Sequence, residues 1–136
     1  MAKSKVESWF LNSVQDNKKI QAQCRLKPVI TDNYVSLGQL TALRFLEWVC
    51  DHPGGVIALP TGKTPEFFIK WTQFYLANWS RELNKGILSE IGFKSGIKPD
   101  MKSLEFFQLD EFFPIDPTHE RSFSHFINTF YIKGFG

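Results

Sequence analysis

The sequence has few of the features that mark secreted, membrane or multidomain proteins. Its 136 residues include two cysteines, Cys24 and Cys50, which are too few for a disulfide framework and lie in no CxxC or Cys/His cluster. We predict that both are buried free thiols in a reducing compartment. The N-terminus lacks the apolar segment of a signal peptide, and no apolar run reaches the length of a membrane span. These absences predict a cytoplasmic protein.

An excess of charge of one sign is also absent. The formal net charge is +2, and Lys18-Lys19 is the only adjacent basic pair. Nucleic-acid-binding proteins carry a basic stripe with interleaved aromatic residues, so no nucleic-acid partner is predicted. Hydrophobic residues make up 43% and charged residues 22% of the chain, which is typical of a globular domain. Phenylalanine is abundant, with 14 copies, and predicts an aromatic core or a covered interface.

Apolar periodicity predicts a chain of alternating helices and strands. Helices are predicted over residues 4–15, over 36–52 with Ser36 as N-cap, from 65 to 79, and over 122–132. Strands are predicted over 28–31, 56–60 and 103–109, the second of them buried on both faces, and residues 83–99 are predicted to be irregular.

This alternation indicates βαβ units and therefore a Rossmann-like α/β fold, an open, mostly parallel sheet with helices on both faces. Because three strands make a poor parallel sheet, we expect residues 1–136 to be a single α/β domain that forms the N-terminal part of a longer chain.

The stretch "VIALPTGKTPEFF", residues 56–68, is the first candidate site. It contains Gly62-Lys63-Thr64, the end of a P-loop motif, but Ile57 occupies the position of the first P-loop glycine, so a nucleotide P-loop is excluded. A glycine between a buried strand and a helix that starts at Thr64, as N-cap, still favours an anion at the carboxyl edge of the sheet. The alternative is that this stretch is only a favourable helix start.

The stretch "FFQLDEFFPIDPTHERSF", residues 106–123, is the second candidate site. Asp110 and Glu111 follow the predicted strand, and a carboxylate that emerges there is well placed to act as a general base. The alternative is that the aspartate caps a turn. The acidic residues around His119 match no metal-ligand spacing, so no metal is predicted.

Taken together, the two stretches resemble the glucosamine-6-phosphate deaminase/isomerase family, within the 6-phosphogluconolactonase-like superfamily. "ALPTGKTPEFF" resembles that family's phosphate-binding loop, and "DEFFPIDPTHERSF" resembles its DEY…HPxSY segment with the same spacing. The resemblance implies that Asp110 and Glu111 are catalytic, with Asp110 as the base that moves a proton between C2 and C1 of the opened sugar. It further implies a substrate phosphate at Thr61, Gly62, Lys63 and Thr64, with support from His119 and Ser122.

The implied reaction converts glucosamine 6-phosphate and water to fructose 6-phosphate and ammonia, without a cofactor. Lys63 stands where the family has a small residue, and Phe112 and Phe123 stand where it often has tyrosine. Open alternatives are a 6-phosphogluconolactonase-type hydrolase and a non-catalytic sugar-phosphate sensor of the same fold. Self-association into a homo-oligomer, which would cover an open sheet edge, is also consistent with the sequence. The sequence leaves open whether this chain turns over substrate.

Overall fold

The structure, a computed structural model, describes residues 4–14, 16–26, 28–93 and 97–136. A 3₁₀ helix (Met101–Ser103) precedes the second strand, and a π-helical segment (Asn128–Ile132) continues the last helix. In chain order, the other elements are α1 (Lys5–Ser13), α2 (Asn17–Gln23), α3 (Tyr34–Asp51), β1 (Val56–Ile57), α4 (Glu66–Ala77), α5 (Glu82–Ile91), β2 (Glu105–Phe106) and α6 (Phe123–Ile127).

Strands β1 and β2 pair in parallel, with Val56 opposite Glu105 and Ile57 opposite Phe106. The pairing continues in the hydrogen bond from the N–H of Phe107 to the carbonyl of Ile57, at 2.8 Å. Since α4 and α5 connect the two strands, the predicted α/β fold with parallel pairing is confirmed. In the described residues the sheet has these two short strands, so a Rossmann-like open sheet is not shown.

The predicted burial of the 56–60 strand, β1, on both faces is wrong. Val56 is 64% exposed, and the strand ends at Ile57 rather than at Pro60. A strand is covered on both faces only where other elements pack over each face. Ile57 packs against the core, whereas the face that carries Val56 is open to solvent.

Helices α3 and α4 form the centre of the core. Gly38 of α3 lies against α4 so closely that a Cβ atom there would come within 2.4 Å of the Cβ of Phe67. The absence of a side chain at Gly38 therefore allows the two helices to approach. The rings of Phe45 and Phe68 meet edge to face across this contact, with centroids 5.5 Å apart.

Helix α1 is fastened to α3 by polar contacts around Glu47. Its carboxylate accepts hydrogen bonds from the Ser4 hydroxyl at 2.7 Å and from the Lys5 N–H at 2.9 Å, and it pairs with Arg44. Burial alone would raise the pKa of Glu47, but these hydrogen bonds and the Arg44 charge outweigh it and lower the pKa. Arg44 also pairs with Glu7 at 2.9 Å, so one guanidinium joins the two helices.

The strand predicted over residues 28–31 is wrong, because a side chain takes the place of a neighbouring strand. Asn17 is fully buried, and its amide accepts a hydrogen bond from the Ile30 N–H at 2.8 Å and donates to the Ile30 carbonyl at 3.0 Å. The same amide group donates to the carbonyl of Phe10 at 3.4 Å. The extended segment is therefore satisfied without joining the sheet.

The sequence also placed several helix boundaries incorrectly. Residues 82–91 form α5, where an irregular connection was predicted, and Gly92 ends this helix in the left-handed conformation at φ 98°. Helix α3 begins before Ser36, because the Asn33 side chain caps it by accepting from the Ser36 N–H at 2.9 Å.

The cysteine prediction is only partly correct. Both thiols are free, but Cys24 is half-buried and Cys50 is exposed rather than buried. Among the described residues, no helix is long and apolar enough to cross a membrane.

Candidate functional site

The loop after β1 exposes its backbone at the carboxyl edge of the sheet. Gly62 has φ 90°, a conformation that glycine adopts without strain, and it is exposed together with Lys63 and Thr64. Within the described residues, no protein group accepts a hydrogen bond from the backbone N–H groups of Thr61, Gly62, Lys63 or Thr64. These donors are therefore open to a ligand.

The predicted N-cap at Thr64 is wrong. Helix α4 begins at Glu66, with Pro65 at its N-cap position and no side-chain cap. A turn precedes the helix, in which the Glu66 N–H donates to the Lys63 carbonyl at 3.1 Å. In the described structure the Thr64 hydroxyl has no hydrogen-bond partner, so it is left for solvent or a ligand.

The negative charge of Glu66 at the start of α4 is balanced by an ion pair. Glu66 forms an ion pair with Lys70 one turn later, and this contact lowers the pKa of Glu66, with a smaller contribution from the charge of Lys63. The Lys63 ammonium makes no ion pair in the described part of the chain, so it is available to an anion at the loop.

The segment after β2 presents Asp110 to solvent. Its backbone carbonyl accepts a hydrogen bond from the Gln108 side chain at 2.8 Å, whereas its carboxylate has no hydrogen-bond partner among the described residues. The sequence predicted Asp110 and Glu111 as a catalytic pair, but the structure gives the two carboxylates different surroundings.

Glu111 is engaged on both carboxylate oxygens. One oxygen accepts from the Ser122 hydroxyl at 2.7 Å and the Ser124 N–H at 2.9 Å, and the other accepts from the N–H groups of Phe123 and Phe112, each at 3.0 Å. Desolvation opposes the charged form, but these hydrogen bonds outweigh it and lower the pKa of Glu111 to about 2. Glu111 is therefore an ionised carboxylate fully occupied by protein donors.

Ser122 and His119, which the sequence predicted as supporting residues, belong to the turn that leads into α6. Ser122 is the N-cap of α6, is 1% exposed, and accepts from the His125 N–H at 3.2 Å. The His119 ring accepts from the Arg121 N–H at 3.1 Å, and the His119 carbonyl accepts from the Ser122 N–H at 2.9 Å. Both residues thus shape the turn.

One helical segment, residues 122–132, contacts both candidate loops. Its N-terminal end binds the Glu111 carboxylate through Ser122, and at its C-terminal end the Tyr131 hydroxyl donates to the carbonyl of Pro60, directly before Thr61. Tyr131 is buried, and desolvation raises its pKa. Because β1 and β2 are neighbours and run parallel, the loops that follow them leave the sheet at the same edge.

An apolar cavity of about 340 Å³ lies beside this edge but is separate from the predicted residues. Its lining includes Ile57, Leu59, Phe106 and Tyr131, with Lys102 as the charged side chain, and it includes neither Asp110 nor the loop from Thr61 to Thr64. In the described part of the chain, no group of three or more His, Cys, Asp or Glu side chains could hold a metal ion.

Sequence reasoning missed three contributors to this arrangement: Tyr131, Gln108 and Ser124. Tyr131 and Pro60 are 71 residues apart, and no local pattern predicts a hydrogen bond over that separation. Ser124 acts through its backbone N–H, which carries no side-chain signal. The capping preference of serine before an apolar helical run could have identified Ser122 as the N-cap of α6.

The chain is similar to the glucosamine-6-phosphate deaminase of Clostridium tetani (strain Massachusetts / E88). The two are 30% identical over 104 residues, which cover 76% of this chain and 35% of that protein. The chain therefore spans about a third of the length of this curated relative. No protein-family model matches the chain, and no solved structure matches it. The relative bears the name of the family that the two motifs resemble.

Proposed function

We propose that this chain binds a sugar phosphate at the carboxyl edge of its sheet and acts as an amino-sugar phosphate isomerase-deaminase. The observation that carries the proposal is that both family-like segments follow adjacent parallel strands and are fastened to one helical segment. The similarity to a protein named glucosamine-6-phosphate deaminase supports the substrate class. A Rossmann-like open sheet with helices on both faces, as expected in that family, is part of the same proposal.

The phosphate is proposed to bind at the loop from Thr61 to Thr64. Among the described residues, four consecutive backbone N–H groups of this loop have no protein acceptor, and the ammonium of Lys63 forms no ion pair. Together with the positive φ of Gly62, these free donors suit an oxyanion. The start of the 12-residue helix α4 adds the positive end of a helix dipole.

Asp110 is proposed as the base of the reaction. In the opened sugar, its carboxylate takes the proton from C2 while the C1 carbonyl oxygen gains a proton from solvent, which gives an enol with a C1–C2 double bond. Return of the first proton to C1 turns C1 into a hydroxymethyl group and leaves an iminium at C2. Water then adds to C2, and ammonia leaves to give fructose 6-phosphate. A proton next to a carbonyl or iminium is acidic enough for a carboxylate base, and the Asp110 carboxylate has no competing protein donor in the described structure.

A second candidate is a sugar-phosphate-binding protein without turnover. Asp110 and the loop from Gly62 to Thr64 are exposed to solvent, whereas proton abstraction from carbon is most effective where water is excluded. Binding at the loop needs only the exposed donors, so this candidate uses the same phosphate site.

Proton NMR of the chain with glucosamine 6-phosphate in D₂O, with parallel ammonia measurement, tests the proposal. Loss of the C2 proton signal with ammonia release supports the deaminase. Exchange without ammonia supports the base but not the later steps, and binding without exchange favours the second candidate. Absence of both binding and exchange contradicts the proposal.

Variants of the same assay separate the two parts of the site. Asp110→Asn should abolish C2 exchange and leave sugar-phosphate binding intact, with the exposed Asp32→Asn as control. Thr64→Val should weaken phosphate binding, whereas Thr129→Val, at another exposed threonine, should not. Unchanged affinity in Thr64→Val would remove this residue from the site.

A further inference from the structure

Two adjacent carboxylates differ sharply in what surrounds them. Glu111 has two close protein donors on each oxygen, at 2.7 to 3.0 Å, which satisfies the lone pairs of the carboxylate. The Gln108 side chain adds a longer contact of 3.4 Å. The Asp110 carboxylate, by contrast, has no hydrogen-bond partner in the described structure. A carboxylate whose lone pairs are filled cannot readily accept a proton from a substrate.

The donors to Glu111 come from a helix start. Helices begin with N–H groups that have no partner within the helix, and the N–H groups of Phe123 and Ser124 occupy this position in α6. Glu111 satisfies both groups, while the Ser122 hydroxyl donates to Glu111 and accepts from the His125 N–H. A negative charge is also favourable at the positive end of a helix. The carboxylate thus completes the cap of α6 from outside the helix.

The same contacts fix the position of the segment after β2. Ser122 lies 11 residues after Glu111, so its hydrogen bond closes the intervening loop onto the residue directly after Asp110. The Gln108 side chain bridges the Asp110 carbonyl at 2.8 Å and the Glu111 carboxylate at 3.4 Å. The backbone on both sides of Asp110 is therefore held by contacts that converge on Glu111.

We propose that Glu111 is a positioning residue, whose carboxylate fastens the start of α6 to the segment after β2 and so orients Asp110. The role in orienting Asp110 for catalysis rests on the proposed function. The hydrogen-bonded contact between the Glu111 carboxylate and the start of α6, which we call the clamp, does not. This role replaces the catalytic one that the sequence predicted for Glu111. Proton transfer is left to Asp110 alone.

Amide hydrogen exchange of Glu111→Gln tests the clamp without any substrate. The glutamine side chain keeps one acceptor oxygen, but its NH₂ group is a donor. That group would face backbone N–H donors that now bind a carboxylate oxygen of Glu111, so hydrogen bonds are lost. We expect exchange at Phe123 and Ser124 to become roughly 10-fold faster or more. Glu120→Gln is the matched control, since Glu120 is an exposed glutamate in the same segment without a hydrogen bond in the described structure. It should leave both amides unchanged.

A measurement on the unchanged protein keeps the test valid if Glu111→Gln does not fold. The side-chain carboxyl carbon of Glu111, followed by NMR during acid titration, should remain that of an ionised carboxylate below pH ~3, because its donors stabilise the charge. A titration near the ordinary glutamate range, or unchanged exchange in Glu111→Gln, would overturn the proposal.

Kinetic measurements separate failure of the clamp from failure of the proposed function. If C2 exchange is detected, Glu111→Gln should lower kcat more than it raises KM, because the phosphate loop follows the other strand. Asp110→Asn should abolish exchange at C2 and leave the amides of Phe123 and Ser124 protected. Faster exchange of the Phe123 and Ser124 amides in Glu111→Gln, together with no turnover in the unchanged protein, would support the clamp and contradict the proposed enzymatic activity. Turnover with kcat unchanged in Glu111→Gln would contradict the orienting role.

Discussion

The hydrogen bond between Tyr131 and Pro60 offers a sharp test of the structure, because one atom can be removed with little other change. Tyr131→Phe deletes the hydroxyl that donates to the Pro60 carbonyl and keeps the ring. That ring packs in the core, with centroids 5.5 Å from Phe135 and 5.9 Å from Phe106. No cavity is created beyond the lost oxygen, so the effect should report the hydrogen bond.

The magnitude follows from the burial of the two partners. Tyr131 is 2% exposed, but Pro60 is exposed, so water can replace the donor at its carbonyl. We therefore expect the free energy of unfolding to fall by about 1 kcal/mol, near the net value of one hydrogen bond and below the cost of a buried unsatisfied group. For a chain of 136 residues this corresponds to a Tm decrease of roughly 3–5 °C.

Urea and thermal unfolding, followed by fluorescence of the four tryptophans and by circular dichroism, measure this change. Tyr34→Phe is the control, because Tyr34 is 80% exposed and its hydroxyl has no hydrogen bond in the described structure. If Tyr131→Phe were no less stable than Tyr34→Phe, the hydrogen bond to the loop would be refuted. A loss above about 4 kcal/mol would instead mean that the core repacks, which contradicts a substitution that only removes a hydrogen bond.

Three further predictions concern acid stability, a buried amide and self-association. Because the pKa of Glu111 is lowered from 4.5 to about 2, the ionised carboxylate stabilises the fold above pH 4.5, and this stabilisation is lost as the pH falls to about 2. Urea midpoints measured across this pH window should therefore fall less in Glu111→Gln than in the unchanged protein. Parallel pH dependences of the two midpoints would contradict this prediction. Asn17→Ala should lower the free energy of unfolding by about 2–3 kcal/mol in urea titrations, because it removes both hydrogen bonds to Ile30, whereas Asn12→Ala should have little effect. The accessible surface of 9426 Å² exceeds the ~7,300 Å² expected for a monomer of 15.7 kDa by more than twice the ~800 Å² that each partner buries in a standard interface, so we expect self-association into a homo-oligomer. Sedimentation should show a mass that rises with concentration and that falls in Leu109→Lys, since Leu109 is 70% exposed, and a monomer at all concentrations would refute this.

The sequence predicted well those features that depend on neighbours along the chain. Periodicity identified α1, α3, α4 and the helical segment from 122 to 132, and the order of strand and helix gave the parallel pairing of β1 with β2. It failed over residues 82–91, where Gly86 in the middle of α5 lowers the local helix propensity and burial of Leu88 and Ile91 in the core stabilises the helix.

The sequence alone also determined where the candidate site residues lie. Thr61 to Thr64 follow one parallel strand and Asp110 and Glu111 follow the next, and the carboxyl ends of parallel strands share an edge whatever the rest of the fold does. Only the tertiary structure decided what each residue contacts. Two adjacent acidic residues differ in their donors, since the start of α6 and the Phe112 N–H fill the oxygens of Glu111, whereas the Asp110 carboxylate has no hydrogen-bond partner among the described residues. The physical reason is that hydrogen-bond partners are set by proximity in space, and the partners of Ile30, Glu111 and Pro60 lie 13, 11 and 71 residues away along the chain.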